Sequence, residues 1–259
     1  MKVYLKNWLY LIVVLGATGA LLLLDVLTSI KLEILSTSVL LATTAGVFFL
    51  EGTVPYRRDW LGLHRYFWSD FRYTIIYFPI IIFFCQALTE AIPANLKSNV
   101  FFDQSLFVQF LSCFFFGELL FYIFHRLCHE NALLWKLHRR HHCVRSVYWM
   151  NAGTFNLFDL LLNFLFYCLP AAIFHFHSEI LGYVLFFSAV TGLMEHANID
   201  FNGWPWNYIF NTAELHRWHH SADISQSKSN YGKALSLFDL LFGTFQYRPK
   251  EHVSRYGAD

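Results

Sequence analysis

The chain has 259 residues, of which 56% are hydrophobic, 20% aromatic and only 14% charged, and its formal net charge is +1. A soluble domain carries about 25% charged residues, so a mean hydropathy of +0.39 and 29 phenylalanines describe a chain solvated largely by lipid. The missing basic face argues against nucleic-acid binding, and five scattered cysteines without a Cys-x-x-Cys pair argue against a disulfide framework or a thiolate zinc site.

Apolar runs of about 20 residues predict membrane-crossing helices. The first extends from about Leu9 to Leu24. It follows Lys6 and contains the small residues Ala17, Gly19 and Ala20, as a signal peptide would, but it stays apolar beyond them and reads as an uncleaved span. Further runs follow at about Ile34 to Leu50, Tyr73 to Ile92 and Leu106 to Phe124. Two more stretches, Thr154–Phe176 and Ile180–Met194, come later, and the last is short for a full crossing. From Asn198 onward the composition turns soluble, with turn formers such as Asn202-Gly203 and Trp204-Pro205. This tail is expected to cap the helix ends. Trp204, Trp206, Tyr208, Tyr148 and Trp149 resemble an interfacial aromatic belt, with a lipid entry path as the alternative role.

If successive spans form hairpins, 17 of the 19 Lys and Arg residues fall on one side, and only Lys31 and Lys97 on the other. The positive-inside rule makes the rich side cytoplasmic. Eight of the 13 histidines fall on that same side, in three clusters: His125 and His129; His138, His141 and His142; His216, His219 and His220. Spacings of three and four place imidazoles on one helix face, and clusters from different helices can complete a shared metal site. Ligand type alone leaves iron, zinc, copper and nickel open. Eight or nine histidines suit two metals with open positions rather than one closed zinc site, and carboxylates are sparse beside them, unlike carboxylate-bridged di-iron bundles.

The order H-x3-H, H-x2-HH, H-x2-HH, with the first cluster directly after an apolar span, resembles the fatty acid hydroxylase/sterol desaturase superfamily. E-H-A-N-I from Glu195, L-H-R-W-H-H-S from Leu215, N-Y-G from Asn230 and L-F-D-L-L-F-G-T-F from Leu237 strengthen the resemblance, which covers about Ser105 to Arg248. It implies an all-α, multi-pass transmembrane helical bundle with a cytoplasmic, histidine-rich di-metal cap. Residues 1–104 would supply N-terminal spans and residues 105–259 the catalytic domain. The activity it implies is O2-dependent oxidation of a lipid C–H bond, hydroxylation first and desaturation as the alternative, on a sterol, fatty acyl or ether lipid. Two iron ions are the implied cofactor, with zinc possible in the purified protein. Electrons would come from an external donor such as cytochrome b5 or a ferredoxin with its reductase. By the same resemblance His125, His129, His138, His141, His142, His216, His219 and His220 are metal ligands, and His196 is a ninth.

Three acidic or amide residues are candidates for supporting the site. Glu118 lies seven residues before His125, on roughly the same helix face, either behind the metals or in a helix-packing bond. Asp200 stands where some family members have another histidine; binding metal, orienting a ligand and capping a turn are its open roles. Asn198 is a candidate for holding a metal-bound water. Asp159 and Asn163, four apart, face either a polar cleft or the interface, and Cys128 and Cys143 lie beside the clusters as marginal ligand candidates. His64, His175, His177 and His252 are expected at surfaces or interfaces. Arg126, Arg139, Arg140 and Arg145 offer either a docking surface for an acidic electron carrier or plain contact with anionic lipids. The rival readings are a transition-metal transporter, which would need ligands on both faces, and a zinc-bound, catalytically silent lipid-binding protein.

Overall fold

All six apolar stretches form helices. The computed structural model describes residues 3–61, 67–249 and 251–258. Its elements are α1 Val3–Leu27, α2 Leu32–Thr53, α3 Phe67–Ala91, α4 Leu106–Glu130, α5 Ala132–His142, α6 Leu157–Ile173, α7 Ile180–His196, α8 Ala213–His219, α9 Ile224–Ser227 and α10 Leu237–Phe242. Among the described residues there is no strand, only isolated bridges such as Pro55 with Ile199. His64 and Arg65, and the terminal-region cations Lys2 and Lys250, lie outside the described residues.

Among the described residues three helices are long and apolar enough to cross a membrane: Lys6–Leu27, Leu32–Thr53 and Leu106–Glu130. The two 17-residue apolar helices, α6 and α7, are shorter. Exposure separates their roles. Leu15 and Leu23 on α1, Leu41 and Phe49 on α2, Phe83 on α3 and Phe107 on α4 are exposed large apolar residues, the surface expected of helices facing lipid. By contrast α7 is buried along nearly its whole length, from Ile180 through Val184 and Val190 to Met194. A helix apolar all round belongs in the centre of a bundle, and α1, α2, α4 and α6 all pack on it.

Helix ends are placed by side chains. Asn131 ends α4 and starts α5, its Oδ1 accepting from Leu133 N (2.9 Å) and Leu134 N (3.2 Å). The chain therefore turns sharply between the first two histidine clusters while keeping both beside one another. Asn156 caps α6 in the same way, through Phe158 N at 3.0 Å. Gly243, at φ 72°, ends α10 in the left-handed conformation that glycine adopts without strain.

Carboxylates on the long helices tie down the segments that follow them in space. Glu51, buried near the end of α2, accepts from Asn198 N (2.7 Å) and Trp149 N (2.9 Å). Asp70 on α3 accepts from the Tyr148 hydroxyl at 2.8 Å, so Tyr148 is a buried tie, not a member of an exposed aromatic belt. Trp206 packs against Trp8, with ring centroids 4.8 Å apart, while Trp204 and Tyr208 are exposed. At the opposite end of the bundle Phe102 stacks on His175 and His177, at 4.2 and 5.1 Å.

Candidate metal centre

Nine imidazoles converge where α4, α5, α7 and α8 meet. His125 and His129 lie on the last two turns of α4, and His196 is the last residue of α7. The two H-x2-HH motifs occupy α5 and the end of α8. Adjacent residues on a helix point about 100° apart, so neither motif serves a single point. His138 and His142 of α5 join His125, His129 and His219 in one group, while His141 joins His196, His216 and His220 in a second. Within each group the candidate ligand nitrogens all lie within 4.8 Å of one another. Each short helix thus contributes to both groups: two from α5 and one from α8 in the first, the reverse in the second. The groups touch through His142 and His220, whose rings stack at 4.6 Å.

Nitrogen geometry shows what these groups can hold. His125 Nδ1 donates to the Tyr231 carbonyl (2.7 Å), His219 Nδ1 to the Ser229 carbonyl (2.8 Å) and His138 Nδ1 to Asp159 Oδ2 (2.9 Å). His141 Nδ1 and His196 Nδ1 donate to the Thr154 and Gly192 carbonyls, at 3.3 and 2.9 Å. A neutral imidazole that donates from Nδ1 leaves Nε2 as a bare lone pair. Yet Nε2 of His125 lies 3.0 Å from that of His138 and 2.9 Å from that of His219, and His141 and His196 face each other at 3.2 Å. Lone pairs aimed at each other at such distances repel, and a cation between them turns the repulsion into coordination. The residues present fit a metal in each group.

Burial keeps the donors in the right state. The imidazoles of His141, His142, His216, His219 and His220 are held well below their ordinary pKa, first by desolvation and then by neighbouring imidazoles. They are neutral at physiological pH, as ligation requires. Aromatic rings close the site: Phe155 stacks on His141 at 4.1 Å, and Phe121 meets His125 edge-on at 5.2 Å.

The supporting candidates occupy different places. Glu118 is fully buried and accepts from the Tyr167 hydroxyl, from Ala234 N (3.0 Å) and from Leu235 N (2.9 Å). It therefore clamps the loop whose Tyr231 carbonyl orients His125. Asn198 faces away from the histidines, its side chain taking Arg57 N and giving to the Arg57 carbonyl, both at 2.9 Å. Asp200 pairs with Lys6 at the start of α1 and belongs to neither histidine group. His252 meets the Tyr56 hydroxyl at 3.1 Å, and Arg126 pairs with Glu130 at 2.8 Å.

The sequence reading left the role of Asp159 open. Fully buried at the start of α6, it accepts from His138 and, at 3.3 Å, from Asn163 Nδ2. A carboxylate behind an imidazole fixes its tautomer and raises its basicity. The signal for it was the Asp159/Asn163 pair at helical spacing inside an apolar run. Cys128, also buried, shares a third possible ligand group with His138 and Asp159, on the side of His138 facing away from the first group. Cys143 is exposed.

Comparisons with known proteins bear on this arrangement. The family model described as fatty acid hydroxylase matches residues 110–244, from within α4 to just past α10. The ornithine lipid hydroxylase OlsE of Rhizobium tropici is 29% identical over 234 residues, covering 85% of this chain and 69% of that protein. The alkylglycerol monooxygenase of Caenorhabditis elegans is 27% identical over 154 residues, and that of Homo sapiens 29% over 126. Those two alignments cover 56% and 49% of this chain but only 28% of each enzyme. No solved structure matches the chain.

Proposed function

Because the chain belongs to the fatty acid hydroxylase family, we propose that it is a membrane-embedded di-iron oxygenase that hydroxylates a C–H bond of a lipid. One observation carries the reading: nine histidines in two groups, eight of them buried, with opposed Nε2 lone pairs on His125, His138, His219, His141 and His196 held in place by bonds from Nδ1. The nine proposed ligands are His125, His129, His138, His142 and His219 for one iron, and His141, His196, His216 and His220 for the other. An all-nitrogen donor set suits iron, and the two irons would supply the redox chemistry that activates O2.

The overall conversion joins a C–H bond, O2, two electrons and two protons to give an alcohol and water. The electrons come from an external carrier such as cytochrome b5 or a ferredoxin with its reductase. What the chain contributes is position and exclusion. Asp159 orients His138, the Tyr231 and Ser229 carbonyls orient His125 and His219, and Phe121 and Phe155 shield the imidazoles from water. The relatives named above act on an ornithine lipid and on alkylglycerols, which supports a lipid substrate with a polar head.

We place residues 1–104 as membrane spans and 105–259 as the catalytic unit, with several crossings and the histidines at the cytoplasmic face. The support is that Arg57, Arg58, Arg72 and Arg126 lie at the helix ends nearest the histidine-bearing cap.

The test is metal analysis of the purified chain, followed by anaerobic reduction and exposure to O2 with a lipid extract read by mass spectrometry. Two irons per chain and a lipid that gains one oxygen atom are expected. A lipid that instead loses two hydrogens would reassign the same site to desaturation. Zinc with no lipid change in the presence of a competent donor would overturn the oxygenase reading.

A further inference from the structure

Lys233 is a cation inside the bundle. Its Nζ lies 5.0 Å from the centroid of the Tyr167 ring, 5.6 Å from Phe121 and 5.7 Å from Phe164. A Cβ placed on Gly192, one turn before His196 on α7, would lie 3.8 Å from its Cε. The ammonium therefore sits among α4, α6 and α7, about one helical turn to the membrane side of His125 and His196. Phe121 is the ring that separates it from His125.

This placement is enforced from both sides. Glu118 accepts from Ala234 N and Leu235 N, and Asp239 accepts from Tyr231 N and Gly232 N, each at 2.7 Å for the latter pair. Two buried carboxylates thus grip the backbone on either side of residue 233 and leave its side chain to project between the helices. Glu195 stands immediately before His196, three residues after Gly192 on α7. Its Oε1 is buried and has no hydrogen-bond partner. Among the described residues Lys233 forms neither an ion pair nor a hydrogen bond, although it is only half-buried. Partial removal of this ammonium from water costs free energy, which three aromatic faces offset in part.

We propose that Lys233 is a substrate-positioning residue that donates to a carbonyl oxygen, ester or amide, of the lipid entering between α4, α6 and α7. The unpartnered Glu195 Oε1 stands ready for an N–H or O–H on the same group. Anchoring that carbonyl one turn from the histidines fixes which carbon of the lipid faces the metals. A carbonyl oxygen offers the lone pairs that the unpaired ammonium lacks, and an N–H or O–H beside it would meet Glu195 Oε1. The inference rests on the lipid-hydroxylase reading and adds the chemical class that the site recognises.

The probes are ethyl palmitate, 13C-labelled at its carbonyl, and hexadecyl ethyl ether, which matches it in length and lacks only that carbonyl. Equilibrium binding of each to the full, metal-loaded chain in detergent is measured for wild type, Lys233→Met and Lys233→Arg. The wild type is expected to prefer the ester about tenfold and to lower its carbonyl stretching frequency in the infrared. Lys233→Met should remove the preference and the shift while leaving ether binding and metal content unchanged, and Lys233→Arg should restore part of both. An unshifted carbonyl in the wild type, which needs no variant, overturns the proposal. So does an ester preference that survives in Lys233→Met. If the wild type binds neither probe, the lipid-hydroxylase reading fails along with it, a result distinct from binding both without discrimination.

Discussion

His125 and His219 are 94 residues apart in sequence, yet their Nε2 atoms lie 2.9 Å apart while each Nδ1 donates to a backbone carbonyl. Neither nitrogen can donate to the other in that tautomer. A metal shared by both nitrogens would relieve their repulsion, which makes metal content the most direct measure of the site.

Removing one ligand from one group should empty that group first. For His219→Ala we expect metal content to fall from about two ions per chain to about one, with oxygenation lost, because the second group keeps all four of its own histidines. Elemental analysis with a turnover assay checks this. Full metal occupancy with turnover intact would count decisively against the ligand assignment.

Asp159→Asn should be milder and more specific. The amide cannot carry the charge that raises the basicity of His138, so metal affinity or activity should drop about 10- to 100-fold with the helices intact. Competition with a chelator of known affinity reads the change, and an unaltered affinity would remove Asp159 from the support of His138.

Acid should weaken the metal-free protein. The folded state holds His141, His142, His216, His219 and His220 well below their ordinary pKa through burial. In the window below about pH 6.5 the unfolded chain binds protons that the folded chain does not. Stability is therefore retained above that value and lost as pH falls below it toward the depressed values. Thermal unfolding of chelator-treated protein between about pH 7.5 and pH 5 should show a falling midpoint; a flat or rising one contradicts the argument.

Gly117 has a packing reason that its neighbours in α4 do not share. A Cβ there would lie 2.7 Å from Cδ1 of Tyr167, the residue whose hydroxyl bonds Glu118. Gly117→Ala must push that ring aside and loosen the clamp on the 234–235 backbone. A cost of about 1–3 kcal/mol is expected, seen as a lower unfolding midpoint, whereas Gly46→Ala on α2, with open space around it, should have no such cost.

Much of this was legible in the sequence for a plain reason: helical periodicity and apolar run length are local properties. They located α1 to α4, α6 and α7, and the histidine spacing pointed to a shared cluster without showing that each H-x2-HH motif divides between two groups. The carboxylates were harder to read. Glu51 reaches Trp149 and Asn198, Asp70 reaches Tyr148, and Asp159 reaches back to His138. Each partner is set by how distant elements pack, which no local pattern encodes. Asn198 and Asp200 lay beside a ligand in sequence and so looked like part of the site. The chain leaves the end of α7 in an extended turn at Ala197, and this carries both residues toward Arg57 and Lys6 instead.

The division of each short helix between two metal groups also sets a timetable. His125 emerges early in synthesis, but neither group can close until α8 has been made, because each takes at least one residue from it. The last described stretch then locks down on α5, with Ala258 N donating to the His142 carbonyl at 2.8 Å. A metal held by these groups would therefore be taken up only after α8 has been made. Under the proposed function, a shortage of the metal would leave chains that are nearly folded but lack their ions.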